Sequence, residues 1–276
     1  MIELIKVIIL GIIEGVTEFL PVSSTGHLIV ATAILQPNLS AGSIETFEIF
    51  IQLGAVIAVV AFFWRDLLSK LRALPTDPAV QRFALALFIA FLPAAVVGLV
   101  FRSAIKDLLF NPTVVAFSLI IGGIVLIVVE KLPSVRVTAA GTLDFSTVSL
   151  PRAVGIGLLQ TLALIPGVSR AAASIIGGML AGLNRETATA FSFYLAIPTL
   201  GLATIFDLLL SLDEIQTGDV PYFIVGAVVA GIVAWIMIRW LLRYVASHTY
   251  IPFGIYRIIA GGIVLVLVAL GIFSQQ

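Results

Sequence analysis

The sequence predicts an all-α polytopic membrane protein, with six transmembrane helices and two re-entrant helical hairpins arranged as an inverted-topology repeat. Three observations carry this reading. Apolar residues make up 61% of the 276-residue chain and charged residues 11%, against roughly 25% charged in a soluble domain; mean hydropathy is +1.20. Two long apolar regions are each broken near the middle by a polar turn. The two halves of the chain carry similar short motifs in the same order.

Six apolar stretches, at roughly 46–64, 83–101, 113–130, 187–208, 221–242 and 251–273, are long enough to cross a bilayer. The first broken region runs from about 4 to 36 and is interrupted at Pro21-Val-Ser-Ser-Thr-Gly-His27. The second runs from about 152 to 183 and is interrupted at Pro166-Gly-Val-Ser-Arg170. Neither half-segment spans comfortably, and irregular backbone at membrane depth is tolerated only where it is buried in protein or lines a wet cavity. Each region therefore reads as a helix–turn–helix hairpin that enters and leaves by one face.

Gly11-x-x-Glu14 aligns with Gly157-x-x-Gln160, and without a gap Val22-Ser23 then falls on Val168-Ser169. Phe47–Gly54 is answered by Phe191–Pro198, and Gly122-Gly-Ile-Val-Leu126 by Gly261-Gly-Ile-Val-Leu265. The expectation is one membrane domain over 1–276, with repeat 1 at about 1–130 and repeat 2 at about 150–276. Three spans between the hairpins make them enter from opposite faces. Loops on one face hold Arg65, Lys70, Arg72, Arg82, Lys131, Arg136, Arg152, Arg185, Arg239 and Arg243. The other face has Lys6, Arg102 and Lys106, with Asp213, Glu214 and Asp219 in one loop. The positive-inside rule makes the first face cytoplasmic. The first hairpin then enters from outside and both tips approach the midplane, an arrangement that places sites at a repeat interface.

Several classes are excluded or unsupported. Cysteine is absent, so there are no disulfides or thiolate metal sites. Zero net charge gives no reason to expect nucleic acid. The N-terminal stretch lacks a charged n-region and is interrupted by Glu14 and Glu18, so it reads as part of the mature fold rather than a signal peptide. No His/Cys metal spacing, P-loop, dinucleotide fingerprint or Gly-x-Ser-x-Gly elbow occurs. His248 reads as a surface residue.

Arg170 at the second tip and Arg257 in the last span are cations at membrane depth, where insertion alone costs at least ~2.5–3.5 kcal/mol. They read as functional or as members of structural ion pairs with Glu48 or Asp207. Glu14 and Glu18, four apart, share a helix face and repel, which suggests a cation, metal or proton between them, or else a shallow, solvated hairpin. Ser23 is a plausible N-cap for a helix running to about Leu35. Ser24 and His27 then share a face, and a helix N-terminus there favours anions. A hydroxyl beside an imidazole could attack phosphorus with proton transfer; the plainer alternative is a cap and a buried histidine. At the second tip Gly167 permits close backbone approach, Ser169 can cap, Arg170 offers a planar fork for phosphate oxygens, and Ser174 adds a hydroxyl.

Glu14-Gly-Val-Thr-Glu18-Phe-Leu-Pro-Val-Ser-Ser-Thr-Gly-His27 resembles the first signature of the bacterial undecaprenyl-pyrophosphate phosphatases. Pro166-Gly-Val-Ser-Arg170 resembles the start of their second, and Phe191-Ser-Phe-Tyr-Leu and Ile251-Pro-Phe-Gly-Ile-Tyr-Arg257 are also similar. The likeness runs from about residue 10 to 260. It implies a multi-pass enzyme of the bacterial inner membrane that removes one phosphate from a polyprenyl pyrophosphate lipid at a site open to the periplasm. It assigns catalytic roles to Ser24, His27, Glu14, Glu18 and Arg170. Ser23, Thr25, Gly167, Ser169, Ser174 and Arg257 become phosphate-binding candidates. A divalent cation, Mg²⁺ or Ca²⁺, suits the Glu14/Glu18 pair. Membrane lipids and a possible homodimer complete the expected partners. The second signature departs from the family pattern, which continues with serine and, three residues later, threonine; here those positions are Ala171 and Ser174, so a hydrogen bond to phosphate, or to Glu or His, is expected to be missing. Ser24, His27 or a held water could each be the attacking group. The rival class is a lipid flippase or other secondary transporter, because the same cradle could bind without cleaving.

Overall fold

The computed structural model describes residues 1–39, 43–138, 143–211, 215–271 and 273. Of the charges used to orient the chain, Asp213 and Glu214 and the side chains of Lys106 and Arg136 lie outside the described residues. The elements among the described residues are helical. Six helices are long and apolar enough to cross a membrane: α3 (Ser43–Phe62), α5 (Pro78–Val100), α7 (Pro112–Lys131), α11 (Arg185–Leu210), α12 (Val220–Val245) and α13 (Ile251–Ala269). The broken regions form two hairpins of short helices, α1 (Ile2–Thr17) with α2 (Ser24–Leu35) and α9 (Leu150–Thr161) with α10 (Arg170–Leu180). Three further short helices, α4 (Trp64–Ala73), α6 (Arg102–Leu109) and α8 (Pro133–Thr138), lie in the connections.

Local chemistry sets the boundaries of these helices. Proline opens α5 and α7, where its missing N–H would be unpaired anyway, and Asp77 and Asn111 cap them by accepting from Ala79 N–H and Val114 N–H. Asn184 caps α11 in the same way through Thr187 N–H. Large apolar side chains such as Ile57, Phe88, Leu99, Ile121, Leu202, Ile232 and Ile263 are exposed on the outer faces. In water they would be an aggregation hazard; in a bilayer they meet acyl chains.

Helix association in lipid relies on close backbone approach more than on hydrophobic burial, and the glycines explain which helices pair. α1 crosses α12 at Gly11 and Gly15, where an added Cβ would lie 2.7 Å from the Gly226 carbonyl and 2.6 Å from that of Ala230. α9 crosses α5 at Gly157, where a Cβ would lie 2.6 Å from the Ala90 carbonyl. Gly11 and Gly157 are the matched residues of the two halves, so the recurring motif has one physical job in both. Each hairpin leans on a span of the opposite half, while α3 packs on α11 and α7 on α13. Exchanging the halves reproduces these pairings.

At one end of the bundle the Glu130 carboxylate, wholly buried, accepts from Arg185 Nε and Nη2 at 2.9 and 2.6 Å and from Tyr250 N–H at 2.7 Å. This ties α7, α11 and the start of α13 together. α3 meets α12 most tightly at Gly54, whose Cβ would sit 2.1 Å from the Ala227 carbonyl oxygen. Backbone cannot yield as a flexible side chain can. Gly54→Val is expected to destabilise by at least ~1–3 kcal/mol, the usual overpacking cost, read as a lowered thermal midpoint in detergent.

Candidate active site

The two hairpin tips carry the same backbone device. Ser23 (φ 73°) and Ser169 (φ 74°) adopt positive φ, as Gly167 does (φ 92°), a costly conformation for a residue with a Cβ. Each serine caps the helix that follows: Ser23 Oγ accepts from Gly26 N–H at 3.4 Å, and Ser169 Oγ from Ala172 N–H at 3.2 Å. The capping expected at Ser23 and Ser169 is therefore realised in both halves, with α2 ending at Leu35 as anticipated. The turns aim both helix N-termini at one place, a cavity of about 150 Å³. That volume suits a head group, since sites for drug-sized ligands run to roughly 300–1,000 Å³.

The first tip lines the cavity with Glu18, Ser23, Ser24 and Thr25, and the second with Pro166, Gly167, Ser169 and Arg170. Gln52 of α3 and Leu200 of α11 close another side. Glu18 is the hub. Ser24 Oγ donates to its Oε2 at 2.6 Å, and Arg170 Nη2 donates to its Oε1 at 3.2 Å. Arg170 is held from behind: its Nη1 donates to Ser192 O at 3.0 Å and to Ser192 Oγ at 3.3 Å. Ser192 Oγ in turn shares a hydrogen bond with Ser174 Oγ at 2.6 Å. Ser174 thus props the arginine through Ser192 and does not reach the cavity. Arg170 Nε is buried without a partner among the described residues. Glu18, and not Glu48 or Asp207, is the ion-pair partner of Arg170. Glu48 accepts from Thr32 Oγ1 at 3.0 Å, and Asp207 from Arg102 at 2.7 Å.

Glu14 lies behind the hub, 1% exposed, and neither carboxylate oxygen has a partner among the described residues. An unpaired buried carboxylate is costly, so a proton or a small cation belongs there. The shallow, solvated alternative does not apply, because both Glu14 and Glu18 are buried. The donors are hard oxygens, which suit Mg²⁺ or Ca²⁺. Among the described residues no group of three or more His, Cys, Asp or Glu is placed to hold a metal. Two carboxylates completed by water and substrate oxygens are, however, a usual Mg²⁺ arrangement.

Besides Ser174, three further residues are placed differently from expectation. The His27 ring and the Ser24 hydroxyl bond to different partners, not to each other. His27 Nδ1 lies 2.7 Å from Ser23 O and its Nε2 2.5 Å from Tyr256 Oη. The carbonyl can only accept, so Nδ1 carries the proton and Nε2 accepts from the tyrosine hydroxyl. One helical turn places His27 beside Ser24 along α2, but the tip's own carbonyl claims the ring. Arg257, 0% exposed, is likewise not in the cavity. It donates to the carbonyls of Pro21 (3.2 Å), Gly167 (2.9 Å), Ser118 (3.2 Å) and Leu119 (3.4 Å), so it ties the two tips to each other and to α7. Ala171, finally, is wholly buried among core residues and does not line the cavity, so its missing hydroxyl withdraws nothing from a bound head group.

Residues 7–263 match the bacitracin resistance protein BacA family. The chain belongs to this family. Similar proteins include the undecaprenyl-diphosphatase of Albidiferax ferrireducens, 48% identical over 262 residues, and that of Polaromonas sp. (strain JS666), 47% over 262; each match covers 95% of this chain and 94% of the relative. The undecaprenyl-diphosphatase of Deinococcus radiodurans is 44% identical over 269 residues, 97% of this chain and 96% of its own. Both hairpin tips of this BacA-family chain lie within the matched stretch. Sequence reading assigned no role to Gln52, Ser192 or Tyr256. Gln52 and Ser192 were detectable as polar residues inside spans, both within the matched segments Phe47–Gly54 and Phe191–Pro198.

Arg257→Leu leaves four buried carbonyls without their donor. Bonds to charged groups are worth roughly 1.5–3 kcal/mol each, so the variant is expected to lose about 3 kcal/mol or more of stability and its activity together, as shown by a lowered thermal midpoint alongside the assay.

Proposed function

We propose that the protein hydrolyses undecaprenyl pyrophosphate to undecaprenyl phosphate and inorganic phosphate, recycling the lipid carrier for peptidoglycan and other envelope polymers. The observation that carries the proposal is the Ser24–Glu18–Arg170 chain across the junction of the two tips. A cavity that only bound an anion would need Arg170 and the helix N-termini. A hydroxyl hydrogen-bonded to a carboxylate adds a nucleophile and a proton acceptor.

In this reading the pyrophosphate enters the cavity between the tips, with its terminal phosphorus facing Ser24. Arg170 and the N–H groups opening α2 and α10 stabilise charge on the transferring phosphoryl group. As Ser24 Oγ bonds to phosphorus its proton passes to Glu18, and the bond to the bridging oxygen breaks to release the prenyl monophosphate. Water then cleaves the phosphoserine, and the proton on Glu18 returns to Ser24 Oγ. Glu18 thus takes the proton-carrying role expected of His27, which holds the Ser23 turn in place. Glu14 and Glu18 would hold the divalent cation, which when bound neutralises phosphate charge.

The surroundings fit a lipid substrate. An apolar groove of about 470 Å³ runs along the α3–α11 seam, lined by residues such as Leu53, Val56, Ile197 and Gly201, and it offers a place for the polyprenyl tail. The protein works as a multi-pass protein of the bacterial inner membrane, with the site open to the periplasm. Its halves, about 1–130 and 150–276, act as inverted repeats of one domain, and a homodimer remains compatible with this arrangement. The pairing of two like tips deep in the bundle favours a second reading, lipid translocation by the same cradle.

The test is phosphate release from a polyprenyl pyrophosphate by the purified protein in detergent, with and without Mg²⁺ or Ca²⁺. Ser24→Ala is expected to lower kcat by about 10³-fold or more, and Glu18→Gln by 10²–10⁴-fold, the range for a lost proton carrier. Chelation with EDTA should abolish release, and added Mg²⁺ or Ca²⁺ should restore it. No release from folded wild type under any of these conditions would sink the enzyme reading and leave translocation in its place.

A further inference from the structure

One cavity residue is left without a role by this mechanism. Gln52 lines the cavity from α3, which belongs to neither hairpin. Its side-chain oxygen accepts from Thr204 Oγ1 of α11 at 3.0 Å, and Thr204 is 1% exposed. With the hydroxyl donating to the amide oxygen, the amide turns its nitrogen away from Thr204. The two N–H groups of Nε2 are then left with no partner among the described residues. A neutral double donor, pre-set by a buried neighbour, is a means of gripping a phosphate oxygen without adding a charge to the membrane interior.

Its position indicates which phosphate. Gln52 and Leu200 line the cavity, while the next residues on the same two helices, Leu53 and Gly201, line the apolar groove. The polar chamber therefore gives way to the groove at Gln52. A prenyl pyrophosphate with its chain in the groove and its terminal phosphate at Ser24 and Arg170 would set its other phosphate beside Gln52. We propose that Gln52, oriented by Thr204, binds the phosphate that stays on the lipid. This assignment rests on the phosphatase reading for the direction of the substrate, but it predicts binding as well as turnover.

The competing explanation is that the Gln52–Thr204 bond merely ties α3 to α11. Gln52→Glu separates the two, because a carboxylate still accepts from Thr204 and keeps the tie while replacing the N–H donors with negative charge. The measurement is the affinity of the detergent-purified protein for farnesyl monophosphate and for inorganic phosphate, by titration calorimetry, with thermal midpoints to establish folding. Neither ligand requires turnover, so the result stands apart from wild-type phosphate release, which tests the phosphatase reading alone. Gln52→Glu is expected to weaken farnesyl monophosphate about 100-fold with a near wild-type midpoint, and Gln52→Leu about 10-fold, with inorganic phosphate weakened less than threefold by Gln52→Leu. Thr204→Val should weaken farnesyl monophosphate severalfold, and combining it with Gln52→Leu should add nothing. Wild-type affinity for farnesyl monophosphate in folded Gln52→Glu, or equal weakening of both ligands by Gln52→Leu, would overturn the assignment.

Discussion

The architecture hangs on a cation that never meets solvent. Arg257 sits wholly buried and spends its guanidinium on four main-chain carbonyls, two of them at the hairpin tips and two on α7. Hairpin turns inside a membrane expose carbonyls that cannot find water, and leaving them unpaired is costly. One planar fork with five donors answers that need in both halves at once. Because the tips share a donor, their spacing is fixed, and so is the cavity between them.

A second economy operates at Glu18. Burying a carboxylate, an arginine and a reactive hydroxyl separately would be prohibitive. Here Glu18 accepts from both Ser24 and Arg170, and Arg170 is braced by Ser192 and Ser174. The two charges neutralise each other. Glu14 is left out of this compensation. Its two oxygens have no partner among the described residues, and so deep a carboxylate calls for a proton or a small cation.

Much of this was legible in sequence because it is local. Span lengths, the polar breaks, the serine caps and the glycine positions are encoded within a few residues of where they act. Gly11 and Gly157, and Ser23 and Ser169, match in the sequence, and each member of a pair makes the same kind of local contact in the structure. What the sequence did not disclose is long-range partnership. His27 looks like a companion of Ser24 until Tyr256, 229 positions away, claims its ring. Arg257 looks like a phosphate ligand because a charge in a span is unusual, and only folding brings four carbonyls to it. Gln52 passed unremarked because its significance depends on Thr204, on a helix in the other half.

The location of the clamp has a consequence for biosynthesis. A chain threaded into the membrane from its N-terminus delivers both hairpins before α13 emerges, and until then the turn carbonyls of Pro21 and Gly167 have no Arg257. The newly made protein therefore passes through a stage in which every reactive side chain is already inserted but the chamber has not yet closed around them. The arrival of α13, with its Arg257, turns a set of helices into an enzyme. Quality control that monitors exposed polar backbone in the bilayer would have a signal that disappears only when α13 docks.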